Sequence, residues 1–483
     1  MRGQASTPSR SSRNNRMTAT RDQLLIWRDR SNMRLLLVTW YFPPTNTIAA
    51  VRLNELANHL SVVGHDVRVL TARNIPVSMG LSGKLPAERV VAASWCDLTR
   101  ITRPVSGALR RLLVLMRPWG KSGNLVPSYS EMAGDAASAA TTWRRQLREL
   151  LLFPDYYVGW IPPGLKAGRA LTRDWTPDVI YASGPPFSAL VLGWRLARGL
   201  GVPLVTEFRD RWSDDPYYPP GRLRAALDRW LEGRIVRGSR ALVTVSEPWA
   251  ETYRARFAKP VLTLYNGYDP ELVDPARAER TSGGPLRVVY TGSIYPGRRD
   301  PAVLFEAIQR LGADPAQVLV EFYGTAPRHV WPIAERYGVS ACVRVHPPVR
   351  QPEAVQKQLE ADVLLLMQWD DPREQGNVPG KLFEYLGARR PVLLIGLEGG
   401  VPDRILTARA AGTRAQGAEQ VARLLSGWMA EKQAHGSLPL LPESTSRGLS
   451  HADQFAQLPD FLTQVLAVSP TPAASRTAPR PAE

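Results

Sequence analysis

The chain has 483 residues, 44% of them apolar, and its 61 basic and 44 acidic residues give a formal net charge of +17. This length exceeds what one hydrophobic core usually supports, so we expect two domains, and no apolar run reaches the about 18 residues of a membrane-spanning helix. Two widely separated cysteines, Cys96 and Cys342, argue against a disulfide framework and for a reducing compartment, while the positive charge favours an anionic partner.

The two ends of the chain carry little sign of structure. Residues 1–32 are polar and arginine-rich and lack the apolar core of a secretory signal. Strand-like sequence begins directly after Met33, so we expect 1–32 to be a disordered or mis-assigned N-terminal extension. The tail at 468–483 is rich in Pro, Ala, Ser and Thr and is expected to be disordered.

Strands and helices alternate from residue 33 to residue 266. Residues 34–39 read RLLLVT, which is typical of a strand buried on both faces. Leucines then recur at helical spacing before a second strand at 66–70, and this order indicates a right-handed parallel crossover. A basic insertion at about 75–165 interrupts the alternation. Further elements of this domain are predicted at 179–182, 204–207, 242–245 and 261–264 (strands) and at 222–237 (helix).

A second alternating series follows a polar linker at 267–285 that contains Pro, Ser and Gly. It indicates a second domain over 286–450 and a final helix at 451–467. The sequence therefore predicts an α/β fold of two Rossmann-like, doubly wound domains that face each other across an inter-domain cleft. The predicted strands of the second domain are 287–290, 318–323, 343–345, 363–367 and 392–395.

The sharpest local pattern is Val378-Pro379-Gly380-Lys381, three residues before Glu384. Pro379 and Gly380 fit a tight entry into a helix, whose free N–H groups and positive dipole end suit a diphosphate. Lys381 adds a full positive charge there, and Glu384, on the same helix face, can accept hydrogen bonds from a ribose diol. The alternative is an ordinary ion pair on an exposed helix.

This stretch resembles the signature helix of glycosyltransferase family 4, in which two glutamates are separated by seven residues. Glu384 matches the second glutamate, which in that family holds the nucleotide ribose. Gly376 stands where the first belongs, and Glu374 is close but out of register. The resemblance, which runs from about residue 33 to 466, implies the retaining GT-B type of enzyme in a branch that makes bacterial surface polysaccharides. The departure at Gly376 concerns the handling of the donor sugar.

Other segments of the second domain resemble the same family. Gly292 and Ser293 end its first predicted strand, where the family's glycine-containing loop approaches the donor, and Gly324 follows the next strand. Arg298 and Arg299 follow at the position where the family often carries its phosphate-binding arginine, and Arg298 is the candidate that we select. The donor-binding residues implied by the resemblance are Glu384, Lys381, Arg298, Gly292, Ser293, Gly324, Val378, Pro379 and Gly380.

In the first domain, strand ends supply the candidate acceptor side of the cleft. Pro43, Pro44 and Thr45 resemble the family's first loop, and Gly184 and Pro185 follow a neighbouring strand. The pair at 209–210, an arginine and an aspartate, replaces the His-Asp pair of many relatives. We predict catalytic roles for Asp210, Arg209 and Lys381. Asp210 would accept an acceptor proton or orient the sugar, and the alternative is a structural ion pair with Arg209.

The charges present also predict a mechanism. Cleavage of a sugar–diphosphate bond places negative charge on the leaving group, which must be stabilised. The sequence contains no Asp-x-Asp pair to hold a divalent metal. Lys381, Arg298 and a helix N-terminus can serve instead, so we expect no metal and no cofactor, with a UDP- or GDP-type nucleotide-sugar as substrate.

Two basic and apolar stretches in the insertion predict contact with a membrane surface. Residues 99–121 hold six cations interleaved with leucines, Met116 and Trp119, and 143–153 repeat the pattern. Such segments suit the interface of an anionic bilayer, and the alternative is an amphipathic helix packed on the first domain. We therefore expect a peripheral protein at the cytoplasmic face of the membrane, with a lipid-linked or glycan acceptor.

Three other functions fit parts of this sequence. A nucleotide-sugar epimerase can share the two-domain architecture, and a non-catalytic scaffold of the same fold is compatible with Gly376. A nucleic-acid-binding protein is favoured by charge alone and ranks low, because the basic and aromatic residues flank one insertion and do not follow a single groove. We expect no nucleic-acid partner.

Overall fold

The structure, a computed structural model, describes residues 32–75, 77, 79–98, 149–218, 220–278 and 282–467, and the element labels below count only those residues. The predicted extensions at 1–32 and 468–483 therefore lie outside the described residues, apart from Asn32. So do the whole of the first basic segment, 99–121, and positions 143–148 of the second. Within the described part, no helix combines the length and apolar character needed to span a bilayer.

The first sheet has seven parallel strands in the order β3-β2-β1-β4-β5-β6-β7. Its order reverses at β1, where Leu37 pairs with Val69 of β2 on one side and Tyr181 of β4 on the other. This is the doubly wound arrangement that the alternating sequence predicts. The strands are β1 (Arg34–Thr39), β2 (Asp66–Ala72), β3 (Val90–Ala93), β4 (Val179–Gly184), β5 (Leu204–Phe208), β6 (Ala241–Thr244) and β7 (Val261–Thr263).

Helices cover both faces of this sheet, which explains why β4 and β5 are buried along their whole length. At the start of the first helix, Thr47 accepts a hydrogen bond from the Ala50 amide (3.2 Å) and so caps the helix. The described helices are α1 (Ile48–Val62), α2 (Ile161–Leu171), α3 (Phe187–Leu200), α4 (Arg222–Gly238) and α5 (Glu247–Phe257).

The second sheet has six parallel strands in the order β10-β9-β8-β11-β12-β13, so it repeats the winding of the first. Its strands are β8 (Leu286–Thr291), β9 (Val318–Tyr323), β10 (Val343–His346), β11 (Val363–Met367), β12 (Val392–Ile395) and β13 (Gly412–Ala415). Its helices are α6 (Ala302–Leu311), α7 (Trp331–Arg336), α8 (Gln351–Glu360), α9 (Lys381–Ala388), α10 (Val401–Ala408) and α11 (Gly417–His435).

The chain crosses between the sheets twice, and the two crossings lie side by side. Tyr268 donates its amide to the carbonyl of Leu449 (3.2 Å) and accepts from the amide of His451 (2.8 Å). After the second crossing the chain packs against the first sheet, where Phe455 and Leu462 join the core on its α1 face. The helix expected at 451–467 is two helices, α12 (His451–Phe455) and α13 (Gln457–Ala467).

The predicted fold class is confirmed, because two parallel Rossmann-like sheets stand in sequence with helices on their faces. Every predicted strand is present, with ends shifted by at most two residues. Two short strands at sheet edges, β3 and β13, were not predicted. Both expose part of their length, so they lack the continuous apolar run that marks an interior strand.

Candidate active site in the interdomain cleft

The N-terminus of α9 lies at the junction between the two sheets. A Cβ atom on Gly380 would stand 3.5 Å from Cγ2 of Ile48 and 3.5 Å from the side-chain amide nitrogen of Asn266, both of which belong to the N-terminal part. Val378 is buried just before the turn. Because α9 begins here, the positive end of its dipole lies at the region between the sheets, with the Leu382 and Phe383 amides donating to the carbonyls of Pro379 (3.0 Å) and Gly380 (3.2 Å).

Lys381 is the first residue of α9, and its ammonium lies over the ring of Tyr290, 3.8 Å from the centroid. Within the described residues it has no hydrogen bond and no ion pair. Burial, with the positive charge of Arg299 nearby, lowers the pKa of Lys381 to about 7, although Glu384 opposes this shift. Lys381 thus lies near a second cation, Arg299, whose own charge is paired with Glu374, while Lys381 has no anion at bonding distance in the part of the chain that the structure describes.

Gly292 makes room for that ammonium. A Cβ atom at this position would lie 2.6 Å from Nζ of Lys381, and its φ of +120° is one that other residues rarely adopt. The Gly292 amide donates to the carbonyl of Tyr323 (2.7 Å). Gly324 (φ +83°) lies beside Gly292, since a Cβ atom built on Gly324 would stand 3.7 Å from the Gly292 backbone. Ser293 is exposed next to this loop. The predicted glycine residues therefore meet beside Lys381.

Glu384 lies one turn into α9 and is held by two amide side chains. Gln351 donates to its Oε1 (3.1 Å) and Gln358 to its Oε2 (2.9 Å), while Gln358 also donates to the Thr291 hydroxyl (3.0 Å). Burial raises the pKa of Glu384, and the two amides and Lys381 oppose that rise. The carboxylate is half-buried and fixed in orientation, with lone pairs still available for a diol.

The arginine beside Lys381 is Arg299, whereas the sequence pattern selected Arg298. Arg298 stacks on Tyr217 (5.1 Å) and Trp369 (4.5 Å), where it has a cation–π role. Arg299 is mostly buried, forms an ion pair with Glu374, and is the second cause of the depressed pKa of Lys381. Adjacent positions with the same charge cannot be told apart by sequence pattern, because only the backbone turn decides which one faces inward.

Glu374 is almost completely buried and acts as a link across the cleft. Its Oε1 accepts from Arg299 (3.0 Å, Nε) and from the Tyr217 hydroxyl of the N-terminal part (2.6 Å), and Oε2 accepts from Asn377 (3.1 Å). Its carboxylate is thus committed to protein partners. Tyr217 gave no sequence signal, since its role depends on which residues face each other once the sheets are in place.

Gly376, at the position of the family's first glutamate, faces Trp249 of α5. A Cβ atom there would stand 2.3 Å from the indole ring, so this tryptophan occupies the space that a side chain at 376 would need. Trp249 is itself buried. The glycine and the tryptophan are therefore a matched pair, and the missing glutamate is replaced by an aromatic group from the opposite part of the chain.

The predicted acceptor-side residues gather at the carboxyl ends of β1, β4 and β5. The Arg209 amide donates to the carbonyl of Gly184 (2.9 Å), and its guanidinium donates to the carbonyls of Gly184 (3.4 Å) and Pro185. Its Nη1 is buried with no hydrogen-bond partner, and burial lowers the pKa of Arg209. A guanidinium with one unsatisfied nitrogen in a cleft is suited to an anionic ligand.

Asp210 lies next to Arg209 and is exposed to the solvent of the cleft. Protein atoms around Asp210 reduce its contact with water and so raise the pKa of its carboxyl. The charges of Arg209 and of Arg299, from the second sheet, oppose this rise. Asp210 has no direct ion pair with Arg209 among the described residues. The purely structural pair considered from the sequence is therefore absent there.

The β1–α1 loop packs on residues 79–83. Thr45 is buried, while Pro43 and Pro44 remain at least partly exposed, and the Pro44 carbonyl accepts hydrogen bonds from the amides of Gly80 (2.8 Å) and Leu81 (3.2 Å). Of these three residues, only the two prolines therefore present surface to a ligand.

A buried ion pair that sequence reasoning missed fixes α1 beneath this cleft. Arg52 and Glu207 are exposed by 2% and 0%, and their charged groups are 2.8 Å apart. Arg52 also donates to the carbonyls of Leu264 (3.1 Å) and Tyr265 (2.7 Å), which lead into the first crossing. The available signal was the position of Arg52, one turn before Leu56 on the apolar face of α1.

An open cavity of about 690 Å³ lies between the two parts of the chain, at the ends of β6 and β12. Trp249 and Gly376 line it, and so do Arg211, Arg373 and Arg404. Ser246, whose buried hydroxyl has no hydrogen-bond partner, lies beside Gly376. Across the residues that the structure describes, no three His, Cys, Asp or Glu side chains are grouped to hold a metal ion.

These features agree with comparisons to known proteins. Residues 49–269, a little under half of the chain, match the family model described as Glycosyl transferase 4-like domain. Its two Rossmann-like sheets are those of GT-B glycosyltransferases. No curated protein sequence matches the chain significantly.

Solved structures share the fold at low sequence identity. Sucrose-phosphate synthase from Thermosynechococcus elongatus is 13% identical with a TM-score of 0.59, and the match covers 90% of this chain and 99% of that one. HepE of Anabaena, solved in complex with UDP and glucose, is 13% identical with a TM-score of 0.55, covering 89% and 99%. A glycosyltransferase from Rickettsia africae is 11% identical with a TM-score of 0.52, covering 91% and 100%.

Proposed function

We propose that this protein transfers a sugar from a nucleotide-sugar donor to a lipid-linked or polysaccharide acceptor. The observation that carries the proposal is Lys381, a half-buried ammonium at a helix N-terminus that has no anionic partner at bonding distance among the described residues. Arg299 adds a second positive charge beside it. A diphosphate supplies the missing negative charge beside Lys381 and at the positive dipole end of α9.

The neighbouring groups fit the rest of such a donor. Glu384, fixed by Gln351 and Gln358, is one helical turn from Lys381 and accepts hydrogen bonds from the ribose diol. The loops at Gly292 and Gly324 allow the donor to approach the backbone closely, because neither carries a side chain. The complex of HepE with UDP favours a UDP-type donor, with GDP as the alternative.

In the proposed reaction the bond between the sugar and the diphosphate breaks, and negative charge develops on the leaving diphosphate. Lys381 and Arg299 stabilise that charge in place of a divalent metal, which makes the transfer metal-independent. Asp210, across the cleft from Arg299, orients the sugar or accepts the proton of the acceptor hydroxyl. The family resemblance favours retention of the anomeric configuration.

The acceptor enters from the first sheet in this proposal. The strand ends at Pro43, Gly184 and Arg209 form one wall, and the cavity of about 690 Å³ extends from the cleft near Trp249. Its arginines suit an acceptor that carries phosphate, such as a lipid-linked saccharide at the inner face of the cytoplasmic membrane. Arg404→Gln is expected to raise the acceptor KM and leave the donor KM unchanged.

A thermal-shift screen of UDP-, GDP-, ADP- and TDP-sugars, with and without EDTA, tests the donor site. A donor at 100 times its Kd stabilises the protein by about 2.7 kcal/mol. We expect one nucleotide class to raise the melting temperature equally in EDTA, and this rise to disappear in Lys381→Met. The matched control is Lys357→Met, which removes a lysine of the adjacent helix α8 that pairs with Glu360.

Stabilisation that requires Mg²⁺, or that survives in Lys381→Met, would contradict the proposed site. Product analysis then separates the chemistry from the binding. With a stabilising donor and an acceptor, NMR of the product is expected to show the anomeric configuration of the donor. Release of a free epimerised sugar without any acceptor would replace the transferase with an epimerase.

A further inference from the structure

Helices α3 and α4 present a surface of exposed arginines without exposed acids. Arg195 and Arg198 stand on α3, and Arg222, Arg229, Arg234 and Arg237 stand on α4, all of them exposed. None has an ion pair among the described residues. The two helices are neighbours, because a Cβ on Gly238 would lie 2.8 Å from the Trp194 indole nitrogen.

The acidic residues of α4 do not balance this charge, since both are buried and used internally. Asp228 pairs with buried Arg224 (2.9 Å) and accepts from Trp212 (3.0 Å). Glu232 accepts from the Tyr253 hydroxyl (2.7 Å) and from Ser213. Helix α3 carries no acidic residue at all. The outer surface of the two helices is therefore uniformly positive.

This arrangement is not shared by comparable helices of the second sheet. Exposed Arg310 of α6 pairs with Glu306 one turn earlier, and exposed Arg423 of α11 pairs with Glu419 at the same spacing. A general excess of arginine in the sequence would leave such pairs unformed on every helix. Arg336 of α7 and Arg404 of α10 are exposed without an ion pair in the described part of the chain, but each stands alone on its helix. What distinguishes α3 and α4 is that six such arginines stand together with no exposed acidic residue among them.

Apolar side chains stand among these cations. Leu223 (62% exposed) and Trp230 (53% exposed) lie two turns apart on α4 and so share one face. Arg224 donates to the carbonyls of Glu149 (2.6 Å) and Pro154, which brings Leu151 (58% exposed) to the start of α4. A surface that binds only the phosphate groups of a polyanion has no use for large aliphatic side chains in this place.

We propose that the outer surface of α3 and α4 docks on a bilayer containing anionic phospholipid. The arginines contact the phosphates of the headgroups, and Trp230 with the leucines enters the interfacial layer, where an aromatic ring with a polar N–H is favoured. Arg234 stacks on both Trp194 and Trp230 (5.7 Å to each centroid) and holds them at the surface. The residues of this surface are not those of the basic segment at 99–121, and docking does not depend on transfer activity.

Vesicle co-sedimentation of the full chain tests the docking surface. We expect binding to equimolar phosphatidylcholine and phosphatidylglycerol, weakening at high salt, and little binding to phosphatidylcholine alone. Since each basic residue near an anionic surface contributes about fivefold to the partition constant, the triple variant Arg229→Gln, Arg234→Gln and Arg237→Gln is expected to lose about 100-fold. The control triple Arg310→Gln, Arg336→Gln and Arg423→Gln removes the same charge from the second sheet and is expected to lose less than about threefold.

A separate variant tests the apolar part. Trp230→Ala is expected to weaken vesicle binding several-fold at high salt, where the headgroup attraction is screened. Equal losses in the two triple variants, or no loss in the α4 triple, would overturn the proposal. So would a single-stranded RNA that binds through these arginines while vesicles do not. Nucleotide-sugar binding, measured on the same variants, is expected to be unchanged, so failure of the donor site and failure of the docking surface are seen separately.

Discussion

The depressed pKa of Lys381 predicts that donor binding takes up a proton. In the free protein this pKa is lowered to about 7, because burial and Arg299 disfavour the ammonium. A bound diphosphate reverses that effect, since it places negative charge against the ammonium. Binding that needs the ammonium therefore weakens as the pH rises above 7, and one proton enters with each donor molecule.

The size of the effect follows from the titration. A pKa of about 7 leaves about 90% of the lysine charged at pH 6 and about 3% at pH 8.5, so affinity falls by about 30-fold, or about 2 kcal/mol, over this interval. The experiment uses a nucleotide-sugar as the ligand. A free nucleoside diphosphate is unsuitable, because its terminal phosphate itself titrates with a pKa of about 6 and would add to the change caused by Lys381.

Calorimetry in two buffers of different ionisation enthalpy measures this uptake directly. At pH 8 we expect about 0.9 protons bound per donor molecule. Lys381→Arg keeps its charge across the range and is expected to bind without proton uptake. Lys381→Met binds weakly at every pH, and Lys357→Met behaves as the unaltered protein. An affinity that does not change between pH 6 and 8.5, or proton uptake that persists in Lys381→Met, would refute the reasoning.

Three further predictions concern the surroundings of the site. Arg52→Met leaves the buried Glu207 carboxylate unpaired and is expected to lower the free energy of unfolding, measured in urea, by about 3–5 kcal/mol. Arg310→Met breaks an exposed pair and is expected to cost less than about 1 kcal/mol. Similar losses in both variants would contradict the role of burial. Glu384→Ala is expected to weaken the binding of a ribonucleotide-sugar about tenfold or more, measured by competition, and to leave the binding of its 2′,3′-dideoxy analogue nearly unchanged. Equal losses for the two ligands would show that Glu384 does not contact the ribose diol. Gly376→Glu is expected to lower the free energy of unfolding by about 1–3 kcal/mol, because the glutamate collides with the Trp249 indole. Trp249→Ala on that background is expected to restore the lost stability. A Gly376→Glu protein that keeps its stability with the tryptophan present would contradict this packing.

The alternation of apolar runs and helical patterns was sufficient to predict the two sheets. Strands inside a parallel sheet are buried on both faces, so β1 and β11 appear in the sequence as unbroken apolar runs. The edge strand β13, which reads GTRA, is partly exposed and lacks this signature. The boundary between α12 and α13 likewise falls within a stretch whose apolar spacing reads as one helix.

The site was predictable only where its residues are neighbours in sequence. Lys381 and Glu384 share one helix, and the glycines beside them occupy strand ends that any doubly wound sheet brings together. Glu374, Tyr217 and Trp249 depend on contacts between the two halves of the chain, so local spacing holds no information about them. The expectations about metal, cofactor, acceptor and membrane contact remain predictions.

A crystal structure of the protein with a nucleotide-sugar and Mg²⁺ tests the central claim most directly. We expect the diphosphate to lie within hydrogen-bond distance of Lys381 Nζ at the start of α9, the ribose to contact Glu384, and no metal ion to bridge the phosphates. A nucleotide bound away from the start of α9, or phosphates held by a divalent cation, would contradict it.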